Sequence, residues 1–455
     1  MALPFRIALP ALLMATLAQA EAPATPDVPA KLDLLATLHL ADRNDPNLAA
    51  VRSAKAATQV NTEIARAVLL PTVVAGASLS RVDLQVPGIA GPGGLLPTDT
   101  RYTSRAMQAK LTQPLFHLDA FYLYQAAQHQ YSQAEAQAAD QTQNLLLAVS
   151  EAYFNVLRAE DVLALAKSQE TALAKQREQA QARFEVGLVA QTDVLEAEAQ
   201  HDAAQARRLT AEIARSSARE TLNAALGTRI GELQPLADAL PSSPPQPDDA
   251  DAWVSMARER NPGLVASRLQ VQVADEASKA QRAGYLPQVD LFASYSDRDN
   301  GNSLSPAVVF QSGTQRIVGI EAQWALFNGG RTAANVRQAE LQTETARQQA
   351  LAREHQVLNQ TRTGFLTVKA DSARLQAARR ARDSAELARQ AAQAGYEVGL
   401  RSIVDVLLAD SNLYAAKRGF ADARYDYVIN TLRLHAAAGL LNEDLLGRIN
   451  GWLAE

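Results

Sequence analysis

The sequence predicts a mainly α-helical protein with a smaller membrane β region and an internal duplication. The phrase FEVGLVAQTDVLEAEAQ (Phe184–Gln200) returns as YEVGLRSIVDVLLADSN (Tyr396–Asn412), each time after a long segment rich in Ala, Gln, Glu and Leu. Each half also contains two stretches in which apolar and polar residues alternate, which is the pattern of β-strands. At 455 residues the chain is long for one domain, and a duplicated body accounts for this length.

Residues 1–20 are predicted to form a secretory signal peptide. Arg6 precedes an apolar run that closes on Ala18-Gln19-Ala20, a small-residue cleavage pattern. A membrane-anchored N-terminus is the less favoured alternative, because the run is shorter than the ~20 residues of a spanning helix. The chain has no cysteine, which leaves no residue for disulfides, thiol chemistry or lipid attachment.

The first repeat, residues 21–228, is expected to contain helices, a hairpin, a very long helix, a turn and a returning helix. The hairpin occupies about 71–116, where two alternating stretches flank a loop rich in glycine and proline. From Leu118 to Val186 there is neither proline nor glycine. Such a helix would reach about 100 Å at ~1.5 Å per residue. Gly187 ends it, and the returning helix continues to Leu226.

A proline-rich linker at 229–250 separates this repeat from the second repeat at 251–455, where the same order of elements restarts. The second hairpin is expected at about 287–327. A second long helix follows from Arg331 to Val398, is broken by Gly399 and is succeeded by a returning helix. Each chain is therefore expected to supply four strands.

The alternating strands have one apolar and one polar face. This pattern fits outer-membrane barrel strands with a wet interior, and it fits a half-buried soluble sheet equally well. The very long helices favour the membrane interpretation, because two isolated hairpins joined to them do not make a compact sheet protein. Four strands cannot close a barrel, and an open edge cannot face lipid. We therefore expect an oligomer, in which a dimer would supply eight strands and a trimer twelve.

Composition and motifs argue against nucleic-acid binding, cofactors and catalysis. The formal charge is −5 and no basic cluster is present. The six histidines lack metalloprotease spacing, and neither a phosphate-binding glycine loop nor a nucleophile elbow occurs. We expect no catalytic residue, cofactor or metal site, and no enzyme activity. The competing class is a periplasmic coiled-coil structural or adaptor protein without a pore, because the second returning helix carries a heptad seam.

The two repeated phrases, extended as RFEVGLVAQTDVLEAEAQ and YEVGLRSIVDVLLADSNLYAAKRGFADARYDYVINTLRLHAAAGLLNEDLL, resemble the helical tips of TolC-type outer-membrane efflux proteins. The resemblance covers essentially the whole mature chain. It implies a homotrimer in outer-membrane lipid, with a 12-stranded transmembrane β-barrel continued by a long α-helical barrel across the periplasm. The implied function is a passive exit duct for type I protein secretion or drug efflux. The implied partners are a periplasmic adaptor and an inner-membrane ABC or RND-type transporter.

The resemblance also implies roles for the two tips. The expected adaptor-docking residues are Val186, Gly187, Leu188, Val398, Gly399 and Leu400. The expected constriction and gating residues are Tyr396, Arg401, Thr192, Asp193 and Asp405. Asp405 matches an acidic ring, and a salt link from Arg401 to Asp193 is a hypothesis that rests on the same alignment. One member of the family has a second acidic ring three residues on, where this chain has Leu408, so we expect weaker cation selectivity and weaker block by multivalent cations.

Overall fold

The computed structural model describes residues 31–85, 90–91, 94–95, 99–238, 240–301 and 312–454. The predicted signal peptide at 1–20 lies outside the described residues. Within them, none of the helices combines the length and the hydrophobicity that a membrane-spanning helix needs.

The helices before each hairpin are built in the same way in both halves. Helix α1 (Leu34–Asn44) meets α2 (Pro46–Ala67) at Asp45, whose carboxylate accepts a hydrogen bond from the Leu48 amide at 2.8 Å. In the second half, α5 (Ala250–Arg260) meets α6 (Pro262–Ala283) at Asn261, whose side chain accepts from the Leu264 amide at 3.0 Å. Each cap is followed by proline at the first helical position, where no amide hydrogen is needed. The duplication therefore extends to the helix caps.

Four long strands form one antiparallel sheet, and four two-residue strands form two small pairs. In chain order the strands are β1 (Lys31–Leu32), β2 (Thr72–Gln85), β3 (Ala90–Gly91), β4 (Gly94–Leu95), β5 (Asp99–Phe116), β6 (Glu232–Leu233), β7 (Gln288–Asp299) and β8 (Gly313–Gln323). The large sheet has the order β2–β5–β7–β8, while β1 pairs with β6 and β3 with β4. Among the described residues, β2 and β8 each keep one unpaired edge.

The register of the sheet separates an apolar face from a polar face. One row across all four strands is apolar and consists of Val73, Leu111, Ala293 and Val318. A row on the opposite face is polar and consists of Gly76, Gln108, Ser296 and Gln315. The apolar face is uncovered within one chain, and Val318 is 77% exposed. This is the arrangement that lipid outside and water inside would require.

Each hairpin leads into a very long helix, and each long helix turns back into a shorter one. These helices are α3 (Leu118–Glu185), α4 (Gln191–Leu226), α7 (Arg331–Glu397), α8 (Ile403–Ala437) and the short terminal α9 (Glu443–Asn450). The two long helices end one residue before the predicted ends, because a glycine follows shortly after each.

The proline-rich linker is packed against the helices by hydroxyl groups that donate to its carbonyl oxygens. Tyr153 of α3 donates to the backbone oxygen of Gln234 at 2.9 Å, and Tyr427 of α8 donates to that of Ser243 at 2.9 Å. Tyr153 and Tyr427 belong to the largest buried cluster, together with Trp253. The main core therefore lies where the linker crosses the long helices.

The helices pack side by side in a fixed order, and we call this arrangement the helical wall. Its two sides are formed by different helices. Near the sheet, α2 packs on α3, α3 on α6 and α6 on α7; near the tips, α4 packs on α3, α3 on α8 and α8 on α7. Helices α2 and α4 from the first repeat therefore lie along one side. Helix α7 from the second repeat lies along the other side.

Candidate functional site

The first tip (residues 184–193) and the second tip (residues 396–405) contain the same backbone turn. In the first tip, Leu188 donates its amide hydrogen to the oxygen of Arg183, and Gly187 donates to that of Phe184, both at 2.9 Å. These two bonds satisfy carbonyl groups at the end of α3 and form a Schellman motif. The second tip repeats the pattern with Leu400 to Gly395 and Gly399 to Tyr396.

The glycines of the two tips have the same left-handed backbone conformation. Gly187 and Gly399 both have a φ angle of 77°. A side chain at such a position is strained whatever space surrounds it. The glycine that the sequence analysis used as a helix breaker is therefore the residue that makes the reversal possible.

Gly399→Ala is expected to loosen the second tip. Left-handed backbone costs about 1–2 kcal/mol for a residue with a Cβ atom, which corresponds to a roughly 5- to 30-fold faster opening. The amides of the tip should exchange with deuterium faster by that factor. Gly419→Ala is the matched control, because a Cβ atom there meets nothing within 4 Å and the position lies inside α8. Unchanged exchange at the tip in Gly399→Ala would contradict the strain argument.

The aliphatic residues next to both tip glycines point into solvent. Val186, Leu188, Val398 and Leu400 are between 70% and 83% exposed. Neither turn needs two solvent-exposed apolar side chains for its own stability. Exposed apolar patches mark interaction surfaces. The structure thus places the six predicted docking residues on two matching apolar projections; their adaptor-docking role stays a prediction.

Asp405 belongs to a capping box at the start of α8. Its Oδ2 atom accepts hydrogen bonds from the Ser402 hydroxyl at 2.8 Å and the Ser402 amide at 2.9 Å, while its own amide donates to Ser402 Oγ at 3.2 Å. The hydrogen bonds from Ser402, with a smaller effect of the Arg401 charge, hold the pKa of Asp405 below its usual value. The exposed carboxylate is therefore ionised at neutral pH. This capping role was not predicted from the sequence, although the Ser-x-x-Asp spacing signals it.

Leu408 lies on the same exposed stripe of α8 as Asp405. The two positions are three residues apart, so they are neighbours on one helix face. Leu408 is 60% exposed, and Val404 beside it is also exposed. In a symmetric assembly around this face, a ring of carboxylates would be followed by a ring of leucines.

Tyr396 connects the two repeats through contacts that the sequence analysis did not foresee. Its ring packs against a small buried cluster consisting of Leu173, Ala204, Ile403 and Leu407. The guanidinium of Arg183, at the end of α3, lies 4.7 Å from the centroid of the same ring. This geometry is a cation–π contact between the ends of the two long helices.

The other predicted gating residues lie in the first turns of the returning helices or directly before them. Thr192 is exposed and Asp193 half-buried at the start of α4, while Arg401 is exposed before α8. In the described part of this single chain, no ion pair joins Arg401 to Asp193. That link stays a prediction, together with the gating role of all five residues.

Comparison with known proteins identifies relatives along most of the chain. A sequence model described as "Outer membrane efflux protein" matches residues 37–228 and 253–440. Outer membrane protein TolC of Escherichia coli is 33% identical over 86% of this chain and 79% of its own. TolC of Vibrio cholerae is 30% identical over 91% of this chain and 92% of its own. The alkaline protease secretion protein AprF of Pseudomonas aeruginosa is 31% identical over 90% and 85%.

Solved structures share the fold at lower identity. The outer membrane protein VceC of Vibrio cholerae matches with a TM-score of 0.77 at 20% identity, covering 89% of this chain and 96% of its own. The open state of the MtrE outer membrane channel of Neisseria gonorrhoeae matches with a TM-score of 0.73 at 20% identity, covering 90% and 89%. The arrangement of hairpins, long helices and tips is therefore one that known outer-membrane channels share.

Proposed function

Because this chain belongs to the outer membrane efflux protein family, we propose that it is a passive exit duct of the bacterial outer membrane that extends into the periplasm. The observation that carries the proposal is the four-stranded sheet, which has an uncovered apolar face, a polar face and two unpaired edges. Such a sheet is incomplete in lipid until another strand pairs with each edge. Neighbouring copies of the same chain are the natural source of those strands.

The arrangement of edges suits a closed ring of identical copies. Strands β2 and β8 are antiparallel to each other across the sheet, so β8 of one copy can pair with β2 of the next in the same antiparallel sense. The two sides of the helical wall also differ from each other, because the first repeat supplies one side and the second repeat supplies the other. Contacts between two different surfaces generate rings when the rotation closes. Three copies would supply the twelve strands implied by the family resemblance.

We call the contact between neighbouring copies in such a ring the intersubunit seam. Exposed apolar side chains on the helices would extend it beyond the sheet. Ile213 of α4 is 72% exposed, and Leu366 and Leu387 of α7 are also exposed. In a ring, α4 of one copy would face α7 of the next and cover these side chains. The seam would then run from the sheet edges towards the tips.

Ile213→Glu is expected to weaken the assembled ring by placing a charge in the seam. The fraction of protein that migrates as a trimer in mild detergent should fall several-fold, as measured by light scattering after size-exclusion chromatography. Ile213→Leu, which keeps an apolar side chain, should leave that fraction unchanged. A wild-type protein that stays monomeric in detergent, or that is soluble without it, would contradict the duct and favour the coiled-coil alternative.

The duct acts with partners and without chemistry of its own. A periplasmic adaptor would bury the apolar tips, and an inner-membrane ABC or RND-type transporter would supply the energy of transport. We expect no enzyme activity and no cofactor. The relative named for alkaline protease secretion supports a protein cargo by type I secretion. The family description supports a role in efflux. Both uses need the same open path.

Arg401→Ser is expected to raise conductance if a link from Arg401 to Asp193 holds the second tip in the constricted state. In a ring this link can join residues of neighbouring copies. Single-channel recording in planar bilayers would detect the change, and Arg380→Ser, at an exposed position of α7, is the control. Conductance of Arg401→Ser that equals the wild-type value would show that the link does not hold the gate.

A further inference from the structure

Arginine side chains lie on the apolar face of the sheet at the end nearest the hairpin loops. From the helices towards the loops, each long strand first presents apolar residues on this face, and the last of them are Leu79 on β2, Met107 on β5, Tyr295 on β7 and Val318 on β8. Since side chains on one face of a strand are two residues apart, the next positions are Arg81, Arg105, Asp297 and Arg316. Three of the four strands thus carry an arginine directly beyond the apolar segment, and we call Arg81, Arg105 and Arg316 the arginine collar.

The pairing register places the collar at one height around a ring of tilted strands. From each strand to the next, the charged residue lies two positions nearer the helices than the direct partner: Arg81 pairs with Thr103 and not with Arg105, Arg105 with Asp299 and not with Asp297, and Asp297 with Thr314 and not with Arg316. The helix end of the sheet is staggered in the same sense, because Thr72 pairs with Thr112 while β5 continues to Phe116. Strands that close a barrel are tilted against its axis, so positions staggered in this way share one level.

The distance of the collar from the helix end of the sheet matches the thickness of a bilayer. Val73 and Arg81 are eight positions apart on β2, which is roughly 26 Å along a strand at ~3.3 Å per residue. A tilt of about 40° reduces this to a height of roughly 20 Å, close to the apolar band of about 25 Å on outer-membrane barrels. The collar therefore lies where the hydrocarbon of one leaflet ends and its polar head groups begin.

The collar lacks a charge partner in the part of the chain that the structure describes. All three side chains are exposed, and none of them forms an ion pair there. Asp297, the carboxylate at the same level, accepts a hydrogen bond from the Thr314 hydroxyl at 3.1 Å. Arg316 lies 5.8 Å from the centroid of the Tyr295 ring, and this cation–π contact leaves its N–H donors for another group. The collar therefore has hydrogen-bond donors to offer to a group outside the chain.

The helix end of the apolar face has a different composition. Counted in the same steps of two, its positions are Pro71, Leu115, Pro287 and Leu326. The helices of the proposed duct extend into the periplasm, so the collar lies in the outer leaflet and the apolar end in the inner leaflet. A bacterial outer membrane is asymmetric in the same sense, because its outer leaflet consists largely of a glycolipid with phosphate groups on its sugars. The positive charge of the collar is complementary to that leaflet.

We propose that the arginine collar binds the phosphate groups of the glycolipid in the outer leaflet of the outer membrane. A guanidinium group donates two parallel hydrogen bonds to a phosphate and is more weakly hydrated than an ammonium group, so arginine suits this boundary. At the intersubunit seam, β8 of one copy meets β2 of the next, which brings Arg316 and Arg81 to neighbouring strands. One phosphate can join them across the seam. The proposal rests on the proposed duct, because only the assembled ring brings these strands together in lipid.

The test is native mass spectrometry of the detergent-purified oligomer, titrated with lipid A that carries both of its phosphates. The seam variant, Arg81→Gln combined with Arg316→Gln, should lower the affinity for lipid A by at least about tenfold, because charge-assisted hydrogen bonds are lost. The matched control is Lys110→Gln combined with Arg298→Gln, which removes the same charge from the polar face of the same sheet and should leave that affinity unchanged. Lipid A should also raise the melting temperature of the wild-type oligomer and leave that of the seam variant unchanged.

Three further ligands distinguish glycolipid phosphate from other sources of the same chemistry. Lipid A without phosphate groups, phosphatidylglycerol and inorganic phosphate should each bind at least about tenfold more weakly than intact lipid A. Binding of any of the three with the affinity of intact lipid A would overturn the assignment to glycolipid phosphate.

Arg105→Gln keeps the test decisive if the seam variant does not assemble, because β5 lies inside the sheet and away from the intersubunit seam. This variant should lower the affinity for lipid A several-fold. Wild-type affinity in Arg105→Gln, or in the seam variant, would overturn the collar. A wild-type chain that forms no oligomer in detergent would instead overturn the proposed duct.

Discussion

Replacing Leu188 and Leu400 together by aspartate is expected to abolish export through the duct while leaving the assembled channel intact. Both side chains are among the most exposed apolar groups of the chain, so they contribute nothing to its own core. If they act in export, they act by contacting a partner that covers them. Two carboxylates placed in such a contact would be desolvated without a partner charge, which costs several kcal/mol.

Export is best measured in the native host against a strain that lacks the protein. Secreted protein in the culture medium and susceptibility to toxic small molecules should both fall to the level of the deletion strain, a loss of more than about tenfold. The double variant to isoleucine keeps apolar tips and should retain export. Full export by the aspartate variant, with the channel correctly assembled, would show that the tips do not dock a partner.

Asp405→Asn is expected to reduce the cation preference of the channel several-fold, towards no preference. The variant keeps an oxygen that can accept the hydrogen bonds of Ser402, so the helix cap survives and only the charge is lost. Asp405→Ala should lose the charge and the cap together and reach the same low preference. Reversal potentials in a salt gradient measure the effect directly.

Ser402→Ala removes the hydroxyl group of the cap and keeps the charge of Asp405. The carboxylate remains, so cation preference should persist at neutral pH. The hydrogen bond from the Ser402 hydroxyl is the largest of the effects that hold the pKa of Asp405 low. Its loss raises that pKa, while the backbone amide of residue 402 still donates to the carboxylate. The preference should therefore disappear at a higher pH than in the wild type. Cation preference that survives in Asp405→Asn would mean that Asp405 does not line the constriction.

Leu408→Asp, which adds a second acidic ring, should strengthen block by multivalent cations.

Local patterns in the sequence were sufficient to predict the longest helices and the four long strands. The segment from Leu118 to Val186 contains nothing that interrupts a helix. Gly187, directly after it, is a residue type that tolerates the left-handed conformation that ends the helix. The alternation around Val73 and Val318 predicted strands whose apolar residues share a face. The side-chain period of two places the apolar residues of each strand on one face, and the pairing register aligns Val73 and Val318 in one row across the sheet.

Contacts between distant residues could not be predicted in this way. Asp410 meets Gln176 across more than two hundred residues of sequence, and neither residue type is unusual for the surface of a helix. Arg183 reaches Tyr396 only because the two long helices end at the same level. The pairing of β1 with β6 and the terminal helix α9 also went unpredicted, since segments this short carry little periodic signal.

Recording the wild-type oligomer in a planar lipid bilayer shows whether this chain forms a duct through the outer membrane. We expect discrete single-channel openings from a detergent-extracted trimer, with a cation preference that depends on Asp405. A correctly folded oligomer that inserts into the bilayer and conducts no ions would contradict it.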